Sequence, residues 1–275
     1  MTSTPYPAEH IEAEWFFDWL DGTPEPARDV LATTAIRLAG GGIATSMAND
    51  PVEYWSKALG FQRPVDRDAI AEIVDFYRAA RTPSATIQIA PDLLPDDWDE
   101  IRASFGLTAG SSWVKLSGSS AAASDSPPAA MGLRVGAVAD GDLEEWADVV
   151  FSGFGMSPEH LASMAVASAR RGAIEPFAAW IDDRLVAGAS LAIVDGVAAL
   201  LGAATLPEFR GLGAQSALIA VRSQAAREAG IDELIAETGR PSVDGANASL
   251  NNMVRAGLVP IYDRVNWEWE NPDLA

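Results

Sequence analysis

Residues 185–207, LVAGASLAIVDGVAALLGAATLP, form a run long and apolar enough to cross a bilayer, with a single charge at Asp195. The Asp195-Gly196 pair decides against a membrane helix. Both residues tolerate the positive φ of a two-residue turn, and the flanking runs are rich in Val, Ile, Leu and Ala, so the segment reads as a hairpin of two buried strands, 185–194 and 197–205. A third strand, 173–181, precedes them across Asp182-Asp183 and completes a meander.

Around this meander the periodicity predicts a strand at 133–137, a helix over 142–152, and a helix over 158–170 capped by Ser157 with Glu159 and His160 in its first turn. After it come a long helix 211–229, a strand 233–237, a helix 246–256 and two closing strands, 259–262 and 265–269. The upstream half is also mixed α and β. It holds helices over 8–20 and 24–32, two extended pieces within 35–48 around Gly40, Gly41 and Gly42, and a short Tyr54-Trp55 segment. A helix 67–81, a strand 85–90, a helix 95–105 and a strand 112–116 follow. Residues 117–130, SGSSAAASDSPPAA, lose all apolar periodicity and read as a linker. With 275 residues, 48% hydrophobic and 21% charged, the chain has material for two packed modules, 1–116 and 131–275.

Charge narrows the function. The net charge of −20 divides evenly about residue 130, so neither half is a basic module. Nucleic acids are bound mainly through Lys and Arg on phosphates, and anionic membranes repel such a surface, so neither is an expected partner. The acidity mildly favours a cationic substrate such as an amine, and its plainer consequence is solubility. No cysteine is present, which removes thiolate nucleophiles and Cys-based metal sites, and two histidines, His10 and His160, are too few for a multi-histidine site; no metal is expected. The N-terminal MTSTPYPAEHIEAEW has no basic stretch leading into an apolar one, so a cytoplasmic location is expected.

The informative stretch is 203–219, AATLPEFRGLGAQSALI: a strand end, a Pro-containing turn, a glycine pair and the start of a long helix. The first N–H groups of a helix are unsatisfied and sit at the positive end of its dipole, and glycines let a pyrophosphate approach the backbone. A P-loop is absent, and the dinucleotide fingerprint G-x-G-x-x-G fails at Ser216 and lacks a parallel βαβ setting. Arg210, Gly211, Leu212, Gly213 and Ala214 match the first five positions of the acyl-CoA loop, Q/R-x-x-G-x-G/A, of the GNAT N-acetyltransferase superfamily, which this stretch resembles. Gln215 departs from the sixth. Downstream, 247–258 resembles that superfamily's next helix, with Gly257 suited to a helix end and Leu258 in place of the usual Phe. The likeness covers about residues 131–270. The N-terminal half has a looser likeness, through Tyr54-Trp55 and Gly60-Phe61, to the degenerate first module of tandem GNAT proteins.

The resemblance implies a mixed α/β fold with a mainly antiparallel sheet flanked by helices, and a second, degenerate module before it. It implies an acyl-CoA-dependent N-acyltransferase that uses acetyl-CoA and an amine of a small molecule or peptide in one ternary complex. It places strand-end N–H groups of Ala204, Thr205 and Leu206 at the pantetheine arm and thioester, and the amides from Gly211 to Ser216 at the pyrophosphate. Ser249 and Asn252 reach the pantetheine or adenosine. The superfamily's general-acid Tyr position holds Met253, so Tyr262 stands as the substitute acid, with Glu175 and His160 as candidate bases; an amine deprotonated through ordered water needs neither. The alternative is a catalytically inactive acyl-CoA-binding or assembly module. Trp267 and Trp269 fall on one strand face as packing, and a homo-oligomer stays open.

Overall fold

The computed structural model describes residues 6–124, 132–157, 159–242 and 245–274. Its contacts divide the chain into two units, one running to Trp113 and taking in the chain again from Tyr262, the other spanning Val114–Ile261. The first unit holds α1 (Pro7–Asp21), α2 (Ala27–Leu31), β1 (Thr33–Arg37), β2 (Ile43–Met47), β3 (Lys57–Leu59), α3 (Arg67–Ala79), β4 (Ser84–Gln88), α4 (Trp98–Ser104) and the start of β5 (Thr108–Ser119). The second takes the rest of β5 and then α5 (Ser120–Ser124), β6 (Leu133–Ala137), α6 (Leu143–Phe154), α7 (Leu161–Arg171), β7 (Glu175–Ile181), β8 (Arg184–Val194), β9 (Val197–Thr205), α8 (Ala214–Glu228), β10 (Glu233–Gly239) and α9 (Ala248–Arg255). The last strand, β11 (Val259–Glu270), starts in the second unit and finishes in the first.

Both units run through the same order, two helices, three strands, helix, strand, helix, strand, preceded in the second by the end of β5, α5 and β6. In each, the third strand of the meander pairs parallel with the strand after the long helix: β3 with β4, and β9 with β10. The remaining meander pairs are antiparallel. Both expected turns of the second meander form, with positive φ at Asp182, Asp183, Asp195 and Gly196. The mixed, mainly antiparallel sheet flanked by helices is the architecture expected, and no helix among the described residues is long and apolar enough to cross a membrane.

In the second unit, α8 covers the face of β8 that carries Ala187, Ala189 and Leu191, where Ala214, Leu218, Ile219 and Ala226 join one core. On the other face α6 presses Trp146 and Val150 against Gly188, so tightly that a Cβ there would fall 2.5 Å from Val150. With helices on both faces the strand is buried from Leu185 to Ala192, which is why its sequence runs apolar without alternation.

Three expectations change. The 117–130 linker is partly regular: residues 117–119 finish β5 and α5 follows, while 125–131 lie outside the described residues. Two closing strands are one, and most of it belongs to the first unit, where residues 266–270 pair antiparallel with 84–88 and Trp267 and Trp269 join the core beside Trp98 and Tyr77. By contacts, the first unit takes residues 262–275 along with 1–113, and the second takes 114–261. The helix expected over 158–170 begins at Leu161, with His160 at its N-cap position; of the expected first turn, residue 158 lies outside the described residues.

Candidate functional site

Strand β9 does not run straight. Gly188 pairs with Ala204 and Ser190 with Leu201, so Ala189 alone on β8 faces both Gly202 and Ala203 on β9. The bulge contains a residue in the left-handed region, Gly202 at φ 51°, where glycine is favoured. On its other side β9 pairs with β10 only from Ala198 to Leu200, so past the bulge the two strands part. The Leu206 N–H donates to Val186 O at 3.0 Å. Alternation along an antiparallel pair then turns the Ala204 N–H toward β8 as well, and the Thr205 N–H and C=O toward the gap. Of the strand-end amides expected to meet a ligand, Thr205 alone faces the right way.

Below the gap, Gly211 and Gly213 take φ of 83° and 84°, conformations closed to most side chains, and lead into the first turn of α8. The N–H groups from Gly211 to Ser216 donate to no acceptor among the described residues; the first amide of α8 to close a turn is Ala217, to Gly213 O at 3.0 Å. Arg210 braces the loop. Its guanidinium donates through Nε to Thr205 O at 3.2 Å and through Nη2 to Gly153 O at 2.9 Å, tying the loop to the end of β9 and the end of α6.

Together these elements line a cleft of about 830 Å³. Its walls are the 203–205 strand end, the 209–216 loop, Gly239, Arg240 and Pro241 after β10, and the first turns of α9. Asn247 caps α9 through Oδ1 on the Leu250 N–H and fixes the turn by donating to Gly239 O at 2.7 Å. Gln215 bridges α8 to α9: its Nε2 donates to Ser249 Oγ at 2.8 Å, and its Oε1 accepts from Asn252 Nδ2 at 2.6 Å. Ser249 and Asn252 thus line the cleft as expected while their polar atoms are engaged by the residue that departs from the loop pattern.

Of the expected loop and strand residues, Ala204, Thr205, Arg210, Gly211, Gly213, Ala214, Gln215 and Ser216 line the cleft, and Leu206 and Leu212 do not. The candidates for proton transfer are not brought there. Glu175 starts β7 and His160 precedes α7, and neither lines the cleft. Tyr262 belongs to the first unit, in which its hydroxyl donates to Glu9 Oε1 at 2.6 Å. Burial, reinforced by the Glu9 carboxylate, pushes its pKa well above the usual phenol range, away from what an acid catalyst needs. Met253 is a core residue, 5% exposed.

Some lining residues carry no sequence signal of their own. Gly153 reads as an ordinary helix position, yet a Cβ there would lie 2.8 Å from Ala204 Cβ and 3.2 Å from the Thr205 nitrogen. Phe154 follows with its ring half exposed in the cleft wall. Arg240 and Arg255 add positive charge that the motif does not announce. In the first unit, the equivalent turn before α3 offers no such cradle: Asp66 occupies the helix start and its Oδ1 accepts the Ala69 N–H at 2.8 Å.

Residues 142–237 match the model of the acetyltransferase (GNAT) domain. That match lies wholly within the second unit. No curated protein matches the chain. Solved structures similar in fold include a GCN5-related N-acetyltransferase from Kribbella flavida, at 19% identity and TM-score 0.58 over 90% of this chain and 93% of that one. Another GCN5-related N-acetyltransferase, from Sphaerobacter thermophilus, aligns at 15% identity and TM-score 0.56 over 98% and 94%. A tandem GNAT protein from the clavulanic acid biosynthesis pathway aligns at 17% identity and TM-score 0.58 over 96% of both chains. The GNAT-like fold therefore accounts for nearly the whole chain, the first unit included.

Proposed function

We propose that the second unit is an acyl-CoA-dependent N-acyltransferase that uses acetyl-CoA and passes the acyl group directly to an amine of a small molecule or peptide. The unpartnered amides of Gly211–Ser216 at the start of α8 support this above all else. Consecutive N–H groups at the positive end of a helix fit a pyrophosphate, and two glycines at positive φ remove the side chains that would hold it off. Bound acyl-CoA supplies an acyl group activated as a thioester. The chain's part is to grip the phosphates with the loop, to polarise the acyl carbonyl with the Thr205 N–H, and to hold the next peptide unit through Arg210 on Thr205 O. Arg240 and Arg255 balance phosphate charge at the cleft rim. The acceptor loses its proton to solvent, since the described cleft lining contains no carboxylate or imidazole.

A second reading, an acyl-CoA-binding module without turnover, is favoured by the burial of Met253 and by the engagement of Tyr262 with Glu9. One series of measurements separates the outcomes. In thermal denaturation, ligand at ~100 times its Kd adds about 2.7 kcal/mol to apparent stability. Acetyl-CoA and CoA are expected to stabilise the wild type and NADH to leave it unchanged. Gly213→Asp places a carboxylate where the phosphates sit, at a left-handed φ of 84° that Asp tolerates better than most side chains, and is expected to abolish the response. No response to either CoA species would refute the acyl-CoA reading; a response without turnover of any amine in a broad panel would favour the second.

A further inference from the structure

Arg222 lies in the middle of α8 and is 1% exposed, with no carboxylate partner among the described residues. Burial of that kind is costly for a guanidinium and pulls its pKa down to about 9. Carbonyl oxygens compensate it. Nε donates to Leu218 O at 2.9 Å, one turn back on its own helix, and Nη1 reaches the sheet, where it bridges Ser190 O at 2.8 Å and Leu201 O at 3.1 Å. Ser190 and Leu201 are the register pair immediately before the bulge. A single nitrogen therefore fastens β8 to β9 at the position where the ladder is about to be interrupted.

We propose that Arg222 is a positioning residue for acyl transfer: it fixes the β9 bulge to α8, and so sets the distance between the loop amides at the helix start and the Thr205 N–H beyond the bulge. The inference rests on the acyl-CoA reading of the cleft. The physical need is specific. A bulge leaves an unpaired residue and a weakened ladder, and the parting of β10 removes the other support of this strand. Without a brace, the backbone ladder of the segment from Gly202 to Thr205 runs to β8 alone, helped by the Arg210 bond to Thr205 O and the packing of α6. Eight residues of helix, about 12 Å, separate Ala214 from Arg222, and the guanidinium makes that rigid length a fixed spacer between two ligand contacts. A leucine or methionine would fill the same space more cheaply; a buried cation bonded to carbonyls on two strands supplies direction that an apolar side chain lacks.

The test compares Arg222→Met, which keeps length and removes the donors, with Leu218→Ala, which weakens the same helix without touching the bulge, and with Arg222→Lys. Hydrogen exchange at Ala204 and Leu206, normalised to β7, is expected to rise about 10-fold in Arg222→Met and to stay within about 2-fold in Leu218→Ala. By calorimetry the Kd for acetyl-CoA is expected to rise about 10-fold in Arg222→Met, to change by less than about 3-fold in Leu218→Ala at equal or greater loss of Tm, and to recover in part in Arg222→Lys. Unchanged exchange at Ala204 and Leu206 in Arg222→Met, or equal effects of Leu218→Ala on both readouts, would overturn the proposal. A wild type that fails to bind acetyl-CoA refutes the acyl-CoA reading instead, and the exchange experiment then still decides whether Arg222 holds the bulge.

Discussion

Gly153→Ala puts the cleft geometry to a direct trial. The new methyl would lie 2.8 Å from Ala204 Cβ, 3.2 Å from the Thr205 nitrogen and 3.4 Å from the Ala204 carbonyl carbon, none of which can rotate away. Overpacking of this kind costs about 1–3 kcal/mol. Against it stands a gain of about 1 kcal/mol from replacing Gly by Ala within a helix. The net destabilisation is then about 0–2 kcal/mol, and at about 2–4 °C per kcal/mol Tm falls by no more than about 8 °C. The larger effect is local. Relief of the clash moves the end of α6 and the strand end apart, which loosens the Arg210 bond to Gly153 O and crowds the amide assigned to the acyl carbonyl. Acetyl-CoA affinity, measured by calorimetry, is expected to fall about 10-fold, the equivalent of about 1.4 kcal/mol. A variant that gains Tm, or that loses Tm and binds acetyl-CoA as the wild type does, would refute the close approach of α6 to Thr205 as a constraint on the site.

Two further outcomes follow from ionisable side chains. Lys115 and Glu237 pair at 2.9 Å with side chains 2% and 14% exposed, so Lys115→Met, which removes the cation from this pair, is expected to cost about 3–5 kcal/mol, with Lys115→Met/Glu237→Gln recovering much of it in thermal denaturation. Glu175 is exposed at the start of β7, yet partial desolvation raises its pKa above the ordinary 4.5, so the folded state holds that proton more tightly than the unfolded chain. Its charged form therefore lowers stability only as pH rises above that value. Glu175→Gln is expected to raise Tm slightly at about pH 7 and to match the wild type at about pH 4; an equal shift at both would refute partial desolvation of that carboxylate as the cause.

What could be read from the sequence was local. Asp195-Gly196 and Asp182-Asp183 announce their turns because positive φ is favoured by those residues themselves, and Gly211 and Gly213 announce the left-handed turn before α8 for the same reason. The parts that escaped depend on partners distant in sequence. Gly202 is hidden in an apolar run, and only its register against β8 reveals the bulge. Gly153 is required by a strand 51 residues downstream, since a Cβ there meets Ala204. Tyr262 follows Gly257 closely, so adjacency along the chain suggested the cleft, yet the strand passes into the other unit at that residue and the hydroxyl finds Glu9. Gln215 looked like a defect in a motif; it is the side chain that joins α8 to α9.

The strand that closes the chain has a consequence for how the protein is made. The first unit needs residues 262–270 between β4 and β5 to bury Ile87, Trp98 and Tyr77 under Trp267 and Trp269. During synthesis those residues arrive only after Val114–Ile261 has been translated, a delay of about 7–30 s at ordinary elongation rates. For that interval the earlier part of the chain waits with an open sheet edge along β4, while the later part already has all the strands of its own meander. The unit that begins first is therefore the one that finishes last, and a fragment ending at Trp113 can never finish at all.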